Sequence, residues 1–368
     1  MKARIEKIFA GLERPVDALV LANATDPHLD QSFFYVFQVP AGLFEGSMAI
    51  AHPNGELDVL TSPLEALSAE EAAKHDPHVR VHSVTREGAE TLVKKLLGES
   101  ATIGLHYREL THESFGRVQT LLPKATFVDA SAAVRRARAT KDADEIARIR
   151  KAAEIGSAVG HEIPSLLKAG MTELELSAEI EYRMNRHGAN GRSFATIVAF
   201  GPHSAEPHYQ PDTTRLKSGQ SIVCDYGAIH RRYVCDITRS FHFGTTDDEL
   251  KRVHETVEKA QAAALAAIRP GVAAKEVHLA AERVIDASPW KGRLTHGVGH
   301  SIGLAVHDGW YYGPQIEDPL EEGMAITVEP GIYLPGKGGV RIEDDVVVTK
   351  NGYEFLTTAP RGYVEVSA

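Results

Sequence analysis

The segment IVCDYGAIHRRYVCDITRSF carries two aspartates, Asp225 and Asp236, eleven positions apart in β-rich stretches with turn-prone residues between them. A hairpin pairing 225 with 236 puts both carboxylates on one face, within reach of a common cation, and turns Cys224 and Cys235 to the other face as packing residues. The stretch THGVGHSIGLAVHD holds His296, His300 and His307 within twelve positions, among glycines that let backbone approach closely. In AITVEPGIYLPGKGGVRIEDDVVVT, Glu329 ends an apolar strand and Glu343 sits inside a second one. An acid among aliphatic residues is costly to bury unless it is paired or metal-bound. Its neighbours Asp344 and Asp345 suit a solvated or a structural role. Singly, each residue also fits a plainer role: an acid at a strand end, or a histidine satisfied within a core.

Together they supply two aspartates, two glutamates and an imidazole. Oxygen-rich ligation with one nitrogen suits Mn, Co or Zn. Four carboxylates exceed the needs of one catalytic zinc, which takes about three protein ligands. Two cations sharing bridging carboxylates offset that charge, and such pairs, about 3.5–4 Å apart, generate a water-derived nucleophile.

The elements that must carry these residues fall into two parts. In the first, strand-like stretches at 18–21, 47–51, 57–60, 102–105 and 126–129 alternate with a helical stretch at 88–97. This alternation predicts an α/β domain with a mixed sheet, and no glycine-rich phosphate loop follows any of its strands. The basic segment 135–141 marks the boundary, giving domains 1–138 and 139–368. Asp142 and Glu145 form a capping box for a helix with Ile146, Ile149 and Ala153 on its apolar stripe. A faint repeat follows: GMTELELSAEI from Gly170 and GVAAKEVHLAA from Gly271 place Glu175 with Leu176 and Glu276 with Val277 at matching offsets. Two similar halves facing each other would enclose a cleft. A third helix is expected from 246 to 268, capped by Thr246 and Glu249 and stopped at Pro270-Gly271.

Composition narrows the function classes. The chain has 368 residues, 43% hydrophobic and 24% charged, as in soluble globular proteins. No apolar run approaches the ~18 residues of a membrane span, and MKARIEKIFAGLERP lacks a signal-peptide core. A formal net charge of −10 argues against nucleic acid as a partner. Two cysteines exclude a disulfide framework and suit a reducing compartment. The cytoplasm is the expected location.

The combined motifs resemble the pita-bread dinuclear metallopeptidases: prolidase, aminopeptidase P and methionine aminopeptidase, with creatinase as a metal-free relative. The order Asp, Asp, His, Glu, Glu matches in type and in its gaps of 11, 64, 29 and 14 positions. The resemblance covers roughly 141–362, and the preceding domain is similar to the prolidase and aminopeptidase P branch. It implies an α/β N-terminal domain of creatinase/prolidase type, followed by an α+β pita-bread catalytic domain with pseudo-two-fold halves. The implied activity is hydrolysis of the Xaa-Pro bond at the N-terminus of dipeptides or short peptides. The implied cofactor is two divalent ions, Mn expected, with Co or Zn the alternatives. Asp225 would bind the first ion, Asp236 and Glu343 would bridge both, and His300 and Glu329 would complete the second. Glu329 would also shuttle a proton. His208, in EPHYQP, and His307 match substrate-binding histidines, and His296 and Arg341 match positions that orient ligands and substrate. A homodimer is implied as well.

Departures bear on substrate length. Archaeal-type prolidases have an arginine shortly after the last motif histidine to hold a dipeptide's carboxylate, whereas HDGWYYGPQIED has none and looks more like the aminopeptidase P loop. Ser301 stands for a common glycine, Ala305 for an aspartate, and DQSFFYVFQVPAGLFEGS departs from the usual N-terminal pattern. Arg231, Arg232 and Arg361 remain candidate carboxylate anchors. Two other classes are open: a creatinase-like amidinohydrolase, against which the intact ligand set argues, and a non-catalytic pita-bread binding protein, for which degraded ligands would be the sign.

Overall fold

Alternating β-formers and helices in the first third do build a mixed sheet. In this computed structural model, which describes residues 1–98 and 101–368, the chain divides into unit 1, Met1–Arg138, and unit 2, Ala139–Ala368. Unit 1 contains α1 (Lys2–Ala10), β1 (Ala18–Ala22), α2 (Gln31–Phe37), β2 (Met48–Ala51), β3 (Leu57–Thr61), α3 (Ala66–Ala73), β4 (Val79–Ser83), α4 (Arg86–Leu97), β5 (Thr102–Leu105), α5 (His112–Leu121), β6 (Thr126–Asp129) and α6 (Ser131–Ala139). The sheet order is β4-β3-β2-β1-β5-β6, with β1–β2 and β2–β3 antiparallel and the other pairs parallel. The divergent segment begins with α2, whose Phe33, Phe34 and Phe37 pack with Phe44 at centroid distances of 5.7–6.3 Å. Segment 135–141 is not an open linker: α6 runs through most of it, burying Val134, Ala137 and Ala139.

Unit 2 is built on two helix pairs. They are α7 (Ala143–Leu166) with α8 (Glu173–Arg186), and α9 (Asp248–Ala267) with α10 (Ala274–Asp286). Asp142 and Glu145 close the expected capping box on α7. The repeat at Gly170 and Gly271 is a structural equivalence. Gly170 N–H donates to Leu216 and Gly271 N–H to Leu320, while Leu216 N–H returns to Met171 and Leu320 N–H to Val272. The caps differ, however. Thr172 and Glu175 form a capping box on α8, but Ala273 gives α10 no side-chain cap. The α9 cap also departs from expectation. Asp247, one residue on, accepts from the Glu249 N–H at 2.6 Å, and Thr246 instead meets the Tyr363 hydroxyl at 2.7 Å.

The strands of unit 2 are β7 (Gly191–Arg192), β8 (Ile197–Phe200), β9 (Gln220–Tyr226), β10 (Ala228–His230), β11 (Tyr233–Val234), β12 (Ile237–Phe243), β13 (Gly299–His300), β14 (Tyr311–Tyr312), β15 (Ala325–Val328), β16 (Gly331–Leu334), β17 (Gly338–Arg341), β18 (Asp344–Thr349), β19 (Gly352–Phe355) and β20 (Glu365–Val366). β20-β12-β9-β8 and β15-β18-β19 are the larger sheets. Among the described residues, no helix is long and apolar enough to cross a membrane.

Burial sets the protonation of two histidines behind this layer. His242 Nε2 on β12 lies 3.3 Å from His254 Nδ1 on α9, and the Tyr363 ring stacks on His242 at 4.4 Å. Burial first, then His254, pushes His242 down to about 3. His254 is likewise pushed down by burial, with its Nε2 donating to the Arg361 carbonyl. The nearby charges are Glu255 beside His254, and Lys251 and Glu365 around Tyr363. An unfolded histidine gains its proton near pH ~6.5, but folded His242 gains it only near 3, so stability falls as pH drops through that window. The slope is about 1.4 kcal/mol per pH unit, or about 2 kcal/mol between pH 6.5 and 5. Urea unfolding at pH 7 and pH 5 is therefore expected to show a smaller acid loss in His242→Gln than in the natural chain. Equal losses would remove His242 from the explanation.

Candidate metal centre

The hairpin that carries the two aspartates turns one residue later than the pairing of 225 with 236 requires. Arg231 and Arg232 both have positive φ, 46° and 75°. Two such central residues are the mark of a type I′ turn, whose twist matches flanking strands. His230 therefore pairs with Tyr233, and farther down Asp225 pairs with Thr238 rather than Asp236. The register moves by two, so the faces are kept. Asp225 and Asp236 still share one face, and Cys224 and Cys235 are buried on the other. Gly227 is obligatory opposite Asp236, because an added Cβ would sit 2.0 Å from the Cys235 carbonyl.

The glutamates come from a second hairpin. β15 pairs with β18, Val328 opposite Asp344, and β16 pairs with β17, Gly331 opposite Arg341. Both ladders have one register, which sets Glu329 opposite Glu343 in the interval between them. His300 reaches the same place because β13 lies tight against β15: a Cβ on Gly299 would meet the Thr327 carbonyl at 2.2 Å. His300 N–H donates to Thr327 Oγ1 at 3.2 Å.

All nine residues singled out from the sequence line one cavity of about 640 Å³: His208, Asp225, Asp236, His296, His300, His307, Glu329, Arg341 and Glu343. Asp236, His300 and Glu343 each offer a donor atom within 4.8 Å of the others. His300 Nε2 lies 3.5 Å from Asp236 Oδ2 and 3.6 Å from Glu329 Oε1. Its Nδ1 faces the Ser301 carbonyl at 3.4 Å. A carbonyl only accepts, so the proton belongs on Nδ1 and the Nε2 lone pair points at the carboxylates.

The donor set fits cations. Asp225 Oδ1, Asp236 Oδ1 and Glu343 Oε1 are buried without a hydrogen-bond partner, and buried polar atoms are otherwise almost always satisfied. Burial, then Glu343, pushes the Asp236 carboxyl well up, and Glu329 is raised by the same two causes. Glu343 is pushed up to about 8 by burial and then Asp225. Burial, then His307, pushes His300 down to about 3, keeping the imidazole neutral. Asp225, Asp236, His300, Glu329 and Glu343 are thus the residues that could hold one or two divalent ions.

A polar frame orients this set. Arg341 donates to Asp225 Oδ2 at 2.7 Å, to Thr238 Oγ1 at 3.0 Å and to the Tyr333 hydroxyl at 3.0 Å. Tyr333 in turn meets His296 Nε2 at 2.8 Å. Thr238 Oγ1 donates to Glu343 Oε2 at 2.7 Å. His307 packs edge-on against His300 at 4.4 Å. Tyr333 and Thr238 have no sequence signal beyond lying in the same strands. Asp344 and Asp345 are both fully buried, which excludes the solvated role. Asp345 accepts the Asp236 N–H at 2.9 Å, and Asp344 pairs with Arg239 at 2.7 Å. The strand alternation of 343 and 345 is the signal that could have found Asp345.

The three candidate carboxylate anchors are elsewhere. Arg231 and Arg232 form the hairpin turn, and Arg361 stacks on the Phe355 ring at 3.9 Å with its Nε on Asp344. Among the described residues lining the cavity, Arg341 is the sole Lys or Arg.

A two-halved α+β unit enclosing a buried, cation-demanding cluster defines a class of metal-binding hydrolases, and the comparisons agree. The sequence matches metallopeptidase family M24 over residues 147–350 and the creatinase/prolidase N-terminal domain over residues 4–140. An uncharacterized peptidase of Staphylococcus aureus (strain USA300) is 40% identical over 232 residues, 63% of this chain and 66% of that protein's length. Among solved structures, the X-Pro aminopeptidase from Thermotoga maritima MSB8 has a TM-score of 0.89 at 33% identity, covering 99% of this chain and 100% of the other. The Xaa-Pro dipeptidase from Bacillus anthracis has a TM-score of 0.90 at 30% identity, covering 99% of each chain. The chain belongs to metallopeptidase family M24.

Proposed function

We propose that this chain is a peptidase dependent on two divalent ions that hydrolyses the bond between an N-terminal residue and a following proline. The observation that carries the metal dependence is the set of orphaned carboxylate oxygens on Asp225, Asp236 and Glu343, the last two clustered with the His300 ring nitrogen. The proline preference is supported by the similarity to the X-Pro aminopeptidase and Xaa-Pro dipeptidase structures. Asp225, Asp236, Glu329, Glu343 and His300 would hold the ions. Bound divalent ions lower the pKa of water and polarise a carbonyl.

The chain's own residues do the rest. A Glu329 carboxylate oxygen takes the proton released by the attacking water and returns it to the leaving nitrogen. His208 and His307 donate hydrogen bonds as charge develops on the carbonyl oxygen. His296 and Arg341 hold the orientation through Tyr333 and Asp225. Proline has no N–H to offer an extended-backbone reader, so a shaped pocket must recognise it, and Phe194, Ile197 and Tyr311 give the cavity apolar walls. Arg341, the lone cation of that lining, is committed to Asp225. This supports peptides of three or more residues over free dipeptides, whose carboxylate would need a partner.

Hydrolysis of Met-Pro, Met-Pro-Xaa and Met-Ala-Xaa, after chelation and readdition of Mn, tests these points together. Cleavage of Met-Pro-Xaa alone is the expected result. Efficient Met-Pro cleavage would make the chain a dipeptidase with an anchor outside the described lining. Equal cleavage of Met-Ala-Xaa would end the proline reading, and inactivity with Mn, Co and Zn alike would end the peptidase reading. Mn as the resident ion, a homodimer and a cytoplasmic location rest on family resemblance and composition. Elemental analysis, sedimentation velocity and cell fractionation test these in turn.

A further inference from the structure

The two glutamates of the centre face each other where the strand ladder is interrupted, and the hydrogen bonds there are diverted. Glu329 N–H donates to the Val298 carbonyl at 2.8 Å, and Glu343 N–H donates to the Thr238 carbonyl at 3.1 Å. The residues just before them, Val328 and Ile342, turn their carbonyls toward α9. There the buried Gln261 donates from Nε2 to Val328 at 3.2 Å, to Ile342 at 3.3 Å and to Asp344 Oδ2 at 2.9 Å. All three neighbours are acceptors, so the amide nitrogen, not its oxygen, must face them. Asp344 is itself fixed by Arg239 and by Thr357 Oγ1, each at 2.7 Å. One side-chain nitrogen therefore joins main-chain atoms adjacent to both glutamates.

We infer that Gln261 is a positioning residue that sets the separation of Glu329 and Glu343 for the ions they hold. It does not line the cavity, so it acts through the backbone and never touches substrate. The inference rests on the metallopeptidase reading above. Ligand distances must hold to about 0.2 Å for a metal site to form, and the Val328 and Ile342 carbonyl carbons are bonded to the backbone nitrogens of Glu329 and Glu343, so a shift of either peptide plane is passed on to the glutamate that follows it. Residues that orient ligands from behind typically contribute about 10–100-fold to metal affinity.

The test is Mn titration by calorimetry, with the cobalt absorption spectrum as a reporter of ligand geometry, on the whole chain stripped of metal. Gln261→Met keeps the length and removes the donor. Gln261→Asn keeps the amide on a shorter stem and serves if the first variant fails to fold. The expected result is Mn affinity weakened by about 10–100-fold and a changed cobalt spectrum. The inference is overturned if a folded variant binds Mn with natural affinity and an unchanged cobalt spectrum while only its melting temperature falls, for Gln261 then bonds the fold and nothing more. If the natural chain binds no divalent ion, the metallopeptidase reading falls as well, and the two failures are told apart by that trace.

Discussion

Glu343→Gln is expected to abolish peptide hydrolysis while making the metal-free chain harder to unfold. The loss follows from charge. Glu343 stands between the aspartates and its cross-strand partner Glu329, with Oε1 unpartnered and Oε2 held by Thr238. A neutral amide there cannot bridge two cations. Metal ions supply several kcal/mol of transition-state stabilisation, so kcat/KM should fall by at least about 10³-fold, equivalent to about 4 kcal/mol. Asp236→Asn should do the same, and both should lower bound metal per chain. The gain in stability comes from the same crowding. Crowded together without a metal ion, the carboxyls of Asp225, Asp236, Glu329 and Glu343 disfavour one another's charge, and Arg341 pairs with Asp225 alone. Replacing one is expected to stabilise the metal-free form by about 1–2 kcal/mol, as is common where a strained site is relaxed. Turnover and melting measured on the same preparation decide the matter. Near-normal turnover or unchanged metal content in either variant would dismiss the bridging role.

Chelation of the natural chain should produce the second large effect. An ion that binds the folded state alone stabilises it by about 4 kcal/mol when present at a thousandfold over its dissociation constant. For a unit of this size each kcal/mol shifts Tm by about 2–4 °C, so losing two such ions should lower it by roughly 15–30 °C. The reporter is built in. Both tryptophans, Trp290 and Trp310, belong to unit 2, and Trp310 follows His307 by three positions. Tryptophan fluorescence therefore follows the unit that contains the cluster. Identical melting curves with and without chelator, on protein confirmed to be metal-loaded beforehand, would show that the cluster does not hold ions that matter to the fold.

The residue types of the cluster, their order and their faces were legible in the sequence, because each depends on local rules. Period-two alternation kept Asp225 and Asp236 on one face and the cysteines on the other, even though the turn lies one residue later than expected. The glycines around His300 announced close backbone contact, and an acid within an aliphatic strand announced a partner. The helix pair repeated at Gly170 and Gly271 was readable for the same reason, and so was the capping box at Asp142 and Glu145. The turn register was not, since non-glycine residues at positive φ are disfavoured and nothing nearby marks Arg231 and Arg232 for it. Tertiary structure alone decided what lies far apart in sequence: Glu329 opposite Glu343, Tyr333 between His296 and Arg341, Gln261 behind both glutamates, and Asp344 and Asp345 withdrawn from solvent. It also decided that Arg361 serves Asp344 rather than the cavity. Such contacts join side chains whose types are ordinary where they stand. Their meaning comes from which buried charge or lone pair the folded chain sets against them.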